Sequence, residues 1–182
     1  MKIIKTKIND LVIIEPKVYK DARGFFLESW NKKNFKNLTN LEINFIQDNQ
    51  SRSSKGVIRG LHYQLLKPQG KLVSVIRGEV LDVVVDLRKS SSTFGNHLTI
   101  NLNDHNFRLL WVPPGCAHGF LVLSEYADFI YKVTEYYLPK DEHCIIWNDP
   151  NLNIDWELNG TKPIISKKDL EGKYFKDAPI YE

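Results

Sequence analysis

Arg59 and His62 sit three residues apart inside the otherwise apolar stretch GVIRGLHYQ, residues 56–64. A guanidinium or an imidazole in an apolar run costs desolvation free energy unless it is paired or serves a ligand. The same intrusion recurs at Arg23 in DARGFF, Glu28 in FFLES, the run Gln47, Asp48, Asn49, Lys71 in QGKLV, His118 in GCAHGF, Tyr131 in FIYK, and Glu142. Singly, each has an ordinary alternative: a turn cation, a solvent-facing carboxylate, a satisfied core histidine, a strand-start lysine, a core aromatic. Converging on one cavity, they form a coherent chemistry. Arg and Lys hold a diphosphate, Arg in bidentate fashion. A neutral imidazole takes a proton near neutral pH, and a phenol gives one. That set suits proton abstraction beside a carbonyl in an anionic, phosphorylated substrate.

The elements that must position these groups are strands. Short apolar runs separated by turn residues occur at 11–16, 24–30, 43–49, 56–64, 71–78, 79–88, 97–102, 107–113, 118–124 and 127–137. Ten or so strands in one chain predict a sandwich or a barrel, whose interior gathers residues from many strands. Residues 31–40 and 166–175 read as short helices, with Ser166 and Asp169 at the spacing of a capping box. Side chains alternate between the faces of a strand, so Arg59 and His62 share a face only if the chain bulges or bends at Gly60.

Length and composition bound the function. The 182 residues suit one core and predict a single domain over 1–182. A net charge of +3, from 25 basic and 22 acidic residues, excludes a footprint for non-specific nucleic-acid binding but leaves room for a local basic pocket. The first apolar runs are broken by Lys5, Lys7, Asn9 and Asp10, and no stretch reaches membrane-spanning length, so no membrane partner is expected and a cytoplasmic location is. Cys116 and Cys144 lack zinc-site spacing and read as reduced, small buried side chains.

The blocks DARGFFLESW, FIQDNQSRS, VIRGLHYQ, QGKLVSVIRGEVLDVVVDLRKSSSTFG, LLWVPPGCAHGFLVLSEYADFIYKVTEYY, IIWNDP, and IDW followed by SKKD closely resemble, in order along nearly the whole chain, the dTDP-4-dehydrorhamnose 3,5-epimerases. The resemblance implies an all-β, cupin-like jelly-roll barrel with a few short peripheral helices. It also implies a homodimer in which an N-terminal strand of one subunit reaches the other's site. The implied reaction inverts C3 and C5 of dTDP-4-dehydro-6-deoxy-D-glucose on the way to L-rhamnose and cell-surface polysaccharide. No cofactor is implied. His62 is the implied base, Tyr131 the acid on the opposite face of the sugar, Asp169 the carboxylate that orients the base, and Lys71 the cation beside the C4 oxygen. Arg59 and His118 would hold phosphate and sugar; Arg23, Glu28, Gln47, Asp48 and Asn49 the nucleotide and diphosphate; Glu142 and Lys168 further parts of the ligand. Tyr136 and Tyr137 stand as alternatives to Tyr131, and Lys167 to Lys168.

A catalytic metal is not expected. PPGCAH resembles the second half of the cupin metal signature, but Gln64 stands where the first half needs a second histidine, and no glutamate follows before Glu79. Rival readings are an epimerase acting at C3 alone or C5 alone, and a non-catalytic cupin that binds a sugar nucleotide.

Overall fold

The structure, a computed structural model, describes residues 1–182. In chain order the strands are β1 (Lys2–Lys5), β2 (Val12–Glu15), β3 (Val18–Asp21), β4 (Gly24–Leu27), β5 (Gln47–Ser54), β6 (Val57–Gln64) and β7 (Lys71–Arg77). They continue as β8 (Glu79–Asp86), β9 (His97–Asn103), β10 (Leu109–Val112), β11 (Cys116–Val122), β12 (Tyr126–Val133), β13 (Glu142–Cys144) and β14 (Ile164–Ile165). Helix α1 (Lys32–Thr39) starts at Asn31, whose side chain accepts from the Asn34 N–H, and helix α2 (Lys167–Leu170) starts at Ser166, which caps Asp169 in the same way.

One sheet runs β1-β2-β10-β7-β12-β5 and the other β13-β6-β11-β8-β9, with β14 added in parallel to β6; β3 and β4 form a separate hairpin. The two large sheets pack face to face as an all-β, cupin-like jelly roll with short peripheral helices. Val73, Val75, Leu110 and Phe129 of the first meet Val80, Val84, Leu102, Phe120 and Val122 of the second. The outer faces are also covered. Leu81, Val83 and Val85 pack beneath Ile145, Leu152 and Trp156, while Leu72, Leu109 and Trp111 pack under Phe35 of α1. Burial on both faces explains why β8 is an almost unbroken apolar run, buried from Val80 to Asp86.

Two expectations shift. The run at 43–49 becomes a strand only at Gln47 and continues through QDNQSRSS to Ser54, all eight residues pairing with β12 at the sheet edge. The helix expected over 166–175 ends at Leu170, because Gly172 packs against the Ile146 backbone and Lys173 forms a bridge with Ile145.

The bend at Gly60 is present. Phe120 pairs with Arg59 and His118 with His62, so three steps along β6 oppose two along β11: one extra residue, a bulge. Arg59 and His62 therefore point to the same face. Gly60 has φ of 106°, and a Cβ there would lie 2.6 Å from both Gly119 Cα and the His118 carbonyl oxygen. Both obstacles are backbone. Gly60→Ala is accordingly expected to destabilise by about 3–5 kcal/mol. The check is the urea midpoint at unchanged slope; a wild-type midpoint would sink the steric argument.

Candidate active site

The bulge opens onto a cavity of about 410 Å³ between the sheets. Its first wall carries Lys71 from β7, Phe129 and Tyr131 from β12, and Gln47 and Asn49 from β5. Its second wall carries Arg59 and His62 from β6, His118 and Phe120 from β11, and Glu142 from β13. His62 and Tyr131 thus belong to opposite sheets, as an acid and a base working on two faces of one ring require.

Asp169 reaches His62 from α2, which packs against β6. Its Oδ1 lies 2.8 Å from His62 Nε2, and Oδ2 accepts the Gly60 N–H at 3.2 Å. Burial pushes this carboxyl up, but the bonds from His62, Gly60 and Ser166 outweigh it and hold Asp169 below the ordinary carboxylate range. A carboxylate only accepts, so Nε2 carries the ring proton and Nδ1 is the basic nitrogen. Burial pushes the Tyr131 phenol up, against a smaller pull from Arg59, so its proton stays in place for donation.

Lys71 is 8% exposed, its Nζ 3.4 Å from the His62 carbonyl oxygen. Burial pushes its ammonium down to about 8, and the Asp82 carboxylate pulls the other way. Asp82 was not singled out by the sequence reading. It is wholly buried in β8, and His118 Nε2 lies 3.0 and 2.9 Å from its two oxygens. Burial raises the Asp82 carboxyl, while His118 and Lys71 oppose that rise. The signal was available: an acid at the centre of EVLDVVVDLR, a run apolar on both faces, must have a partner.

The remaining groups divide by place. Gln47 and Asn49 bond each other at the cavity wall, and Arg59 donates to Ser53. Lys168 pairs with Glu142, whereas Lys167 is 91% exposed and lies near Glu171. Tyr137 lines the cavity with its hydroxyl donated to Glu142, and Tyr136 points to solvent. Asp48 alternates to the other face of β5 and pairs with Lys132. Arg23 and Glu28 lie at the β3–β4 hairpin, outside the cavity; Arg23 pairs with Asp21, and Glu28 accepts from Asn31 and Asn34. Gln64 spends its amide on backbone, donating to the Lys67 and Tyr136 carbonyls and accepting from the Leu138 N–H. Cys116 is buried as expected, but Cys144 is only partly buried and lies beside His62; burial and the Asp169 charge push its thiol up to about 12.

A family model described as dTDP-4-dehydrorhamnose 3,5-epimerase matches residues 5–177. A dTDP-4-dehydrorhamnose 3,5-epimerase of Pseudomonas aeruginosa is 50% identical over 181 residues, covering 100% of this chain and 99% of the relative. The crystal structure of a Legionella pneumophila dTDP-6-deoxy-D-glucose-3,5-epimerase in complex with dTDP-4-keto-L-rhamnose is 50% identical with a TM-score of 0.95, covering 100% of this chain and 98% of that one. Further off, a 3'-monoepimerase of Streptomyces bikiniensis in complex with dTDP-quinovose is 28% identical with a TM-score of 0.89, covering 94% and 86%. The chain belongs to the dTDP-4-dehydrorhamnose 3,5-epimerase family.

Proposed function

We propose that the chain epimerises C3 and C5 of dTDP-4-dehydro-6-deoxy-D-glucose, giving dTDP-4-dehydro-L-rhamnose for dTDP-rhamnose synthesis, with His62 as base and Tyr131 as acid. The observation that carries this reading is the His62–Asp169 pair facing Tyr131 across a cavity that also holds Lys71. The C4 ketone acidifies the hydrogens on both neighbouring carbons. His62 Nδ1 removes one; the C–H electrons move onto the C4 oxygen, where the Lys71 ammonium stabilises the enolate. Tyr131 then gives its proton to the same carbon from the other face, and the ketone reforms with that centre inverted. Solvent resets both groups, and the cycle repeats at the second carbon. Arg59, His118, Gln47, Asn49, Glu142 and Lys168 hold the rest of the ligand in this reading, and no cofactor enters it.

The 182 residues act as one domain. The working form is a homodimer, a view supported by the β3–β4 hairpin, which pairs with neither sheet and exposes Phe25 at 60% and Phe26 at 70% next to Arg23. Docked on a second copy, the hairpin would bring Arg23 and Glu28, and Asp48 by its outward face, toward ligand. The enzyme works in the cytoplasm; no helix is long and apolar enough to cross a membrane.

Incubation with the 4-keto sugar nucleotide in deuterated water, followed by NMR at C3 and C5, tests the reaction. Deuterium at both carbons with inverted product is the expected result; deuterium at one carbon would make the chain a mono-epimerase, and none would leave a binding protein. Tyr131→Phe is expected to keep deuterium exchange while inverted product falls by about 10²–10⁴-fold. Full inversion by this variant would move the acid elsewhere, first to Tyr137.

A further inference from the structure

Cys144 stands directly opposite His62 in the β13–β6 pairing. Its thiol, one ring nitrogen of His62 and a carboxylate oxygen of Asp169 all lie within 4.8 Å of one another. The thiol's one hydrogen bond is a weak one, to the Ile145 carbonyl at 3.4 Å. The epimerisation uses the imidazole and the carboxylate but has no task for the sulfur. We infer that His62, Cys144 and Asp169 form a binding site for a thiophilic divalent cation, zinc above all.

The donor set selects the ion. Sulfur and imidazole nitrogen favour zinc over magnesium or calcium, which take oxygen ligands. Ligand atoms of a tetrahedral zinc site lie roughly 3.3–3.6 Å apart, given its bond lengths. The cluster reaches that spacing if the sulfur closes by no more than about 1.5 Å and the His62–Asp169 contact opens by about half an ångström. Asp169 is already fixed from behind by the Gly60 N–H, the kind of outer support that ligating carboxylates have. His62 lines the cavity while Cys144 and Asp169 do not, so the ion would sit on the Nε2 side of the ring, away from the substrate. Binding displaces the thiol proton to solvent and shifts the ring proton from Nε2 to Nδ1, so that His62 ligates as a neutral imidazole with no basic nitrogen left.

The functional consequence rests on the reading of His62 as the base: an imidazole bound to zinc and parted from Asp169 takes no proton from a sugar. Zinc would therefore act as a reversible inhibitor of a reaction that uses no metal.

The test uses the full chain with zinc and cobalt(II) as probes, and Cys144→Ser and Cys144→Ala as variants, each first shown to melt like the wild type. Competition against a chromophoric chelator is expected to give one zinc per wild-type chain, and cobalt(II) to give a thiolate charge-transfer band. Both variants should lose the band and weaken zinc by more than about 100-fold, beyond what outer-shell partners contribute. They should exchange deuterium normally without metal, and go on doing so at zinc levels that silence the wild type until chelator is added. Absence of the thiolate band, or wild-type zinc affinity in both variants, would overturn the site. A band together with unimpaired exchange in the zinc-loaded wild type would uphold the site and overturn His62 as the base.

Discussion

His62→Ala is expected to slow deuterium entry at C3 and at C5 together, by about 10²–10⁴-fold each. The cavity has two histidine–carboxylate pairs, His62–Asp169 and His118–Asp82; in the proposed reading His62 is the base, and since both hydrogens flank the same ketone, one basic nitrogen serves both centres. Affinity for dTDP should change by less than about threefold, since the ring makes its contribution at the sugar and in the transition state. Asp169→Asn should give a smaller loss with the same pattern, as it keeps the shape behind His62 but removes the charge that fixes the tautomer. Loss of exchange at only one carbon in His62→Ala would require a second base.

Lys71→Met should separate activity from stability. Removing the cation that the proposed reading sets beside the C4 oxygen is expected to cost about 10²–10³-fold in kcat, the usual effect of deleting one oxyanion donor. Stability should move the other way. The folded state holds Lys71 near 8 and the unfolded chain near 10.5, so at neutral pH the buried charge works against folding by about 3 kcal/mol. Methionine fills similar volume without that charge, but Asp82 then loses a nearby cation, so a net gain of about 1–2 kcal/mol is expected. That corresponds to a rise in Tm of roughly 2–8 °C for a chain of this size. The pH dependence carries the sign. Between about 8 and 10.5 the unfolded wild type binds more protons than the folded form, so this contribution makes the wild type gain stability as pH rises, while its activity falls as Lys71 deprotonates. The variant should lack both trends. A destabilised Lys71→Met with a wild-type basic limb in its pH profile would remove Lys71 from the enolate.

The strands were legible where apolar residues alternate or run on, as in β7, β8, β11 and β12, because burial writes its period directly into sequence. β5 was only half legible. QDNQSRSS has no apolar residue, and its strand is imposed by eight pairings with β12. The short strands β1, β3, β13 and β14 lie outside the apolar runs and went unmarked. At the site, the polar intrusions led to His62, Lys71, Arg59 and Tyr131. Asp82's place among valines signals that it needs a partner, but only its bond to His118 reveals its task. Cys144 was read as packing because nothing local places it across from His62. Arg23 and Glu28 sit at a hairpin that pairs with neither large sheet and lies outside the cavity, which nothing in their local sequence signals.

His62 and Asp169 are 107 residues apart in sequence, and the carboxylate comes from a four-residue helix that follows every strand of both sheets. Synthesis runs from the N-terminus, so the ribosome has delivered both cavity walls, Glu142 included, before it delivers this carboxylate. The pocket can thus exist for a time as a shape without a completed base. A chain interrupted before Ser166 would hold the residues of both walls and yet have nothing to orient its imidazole.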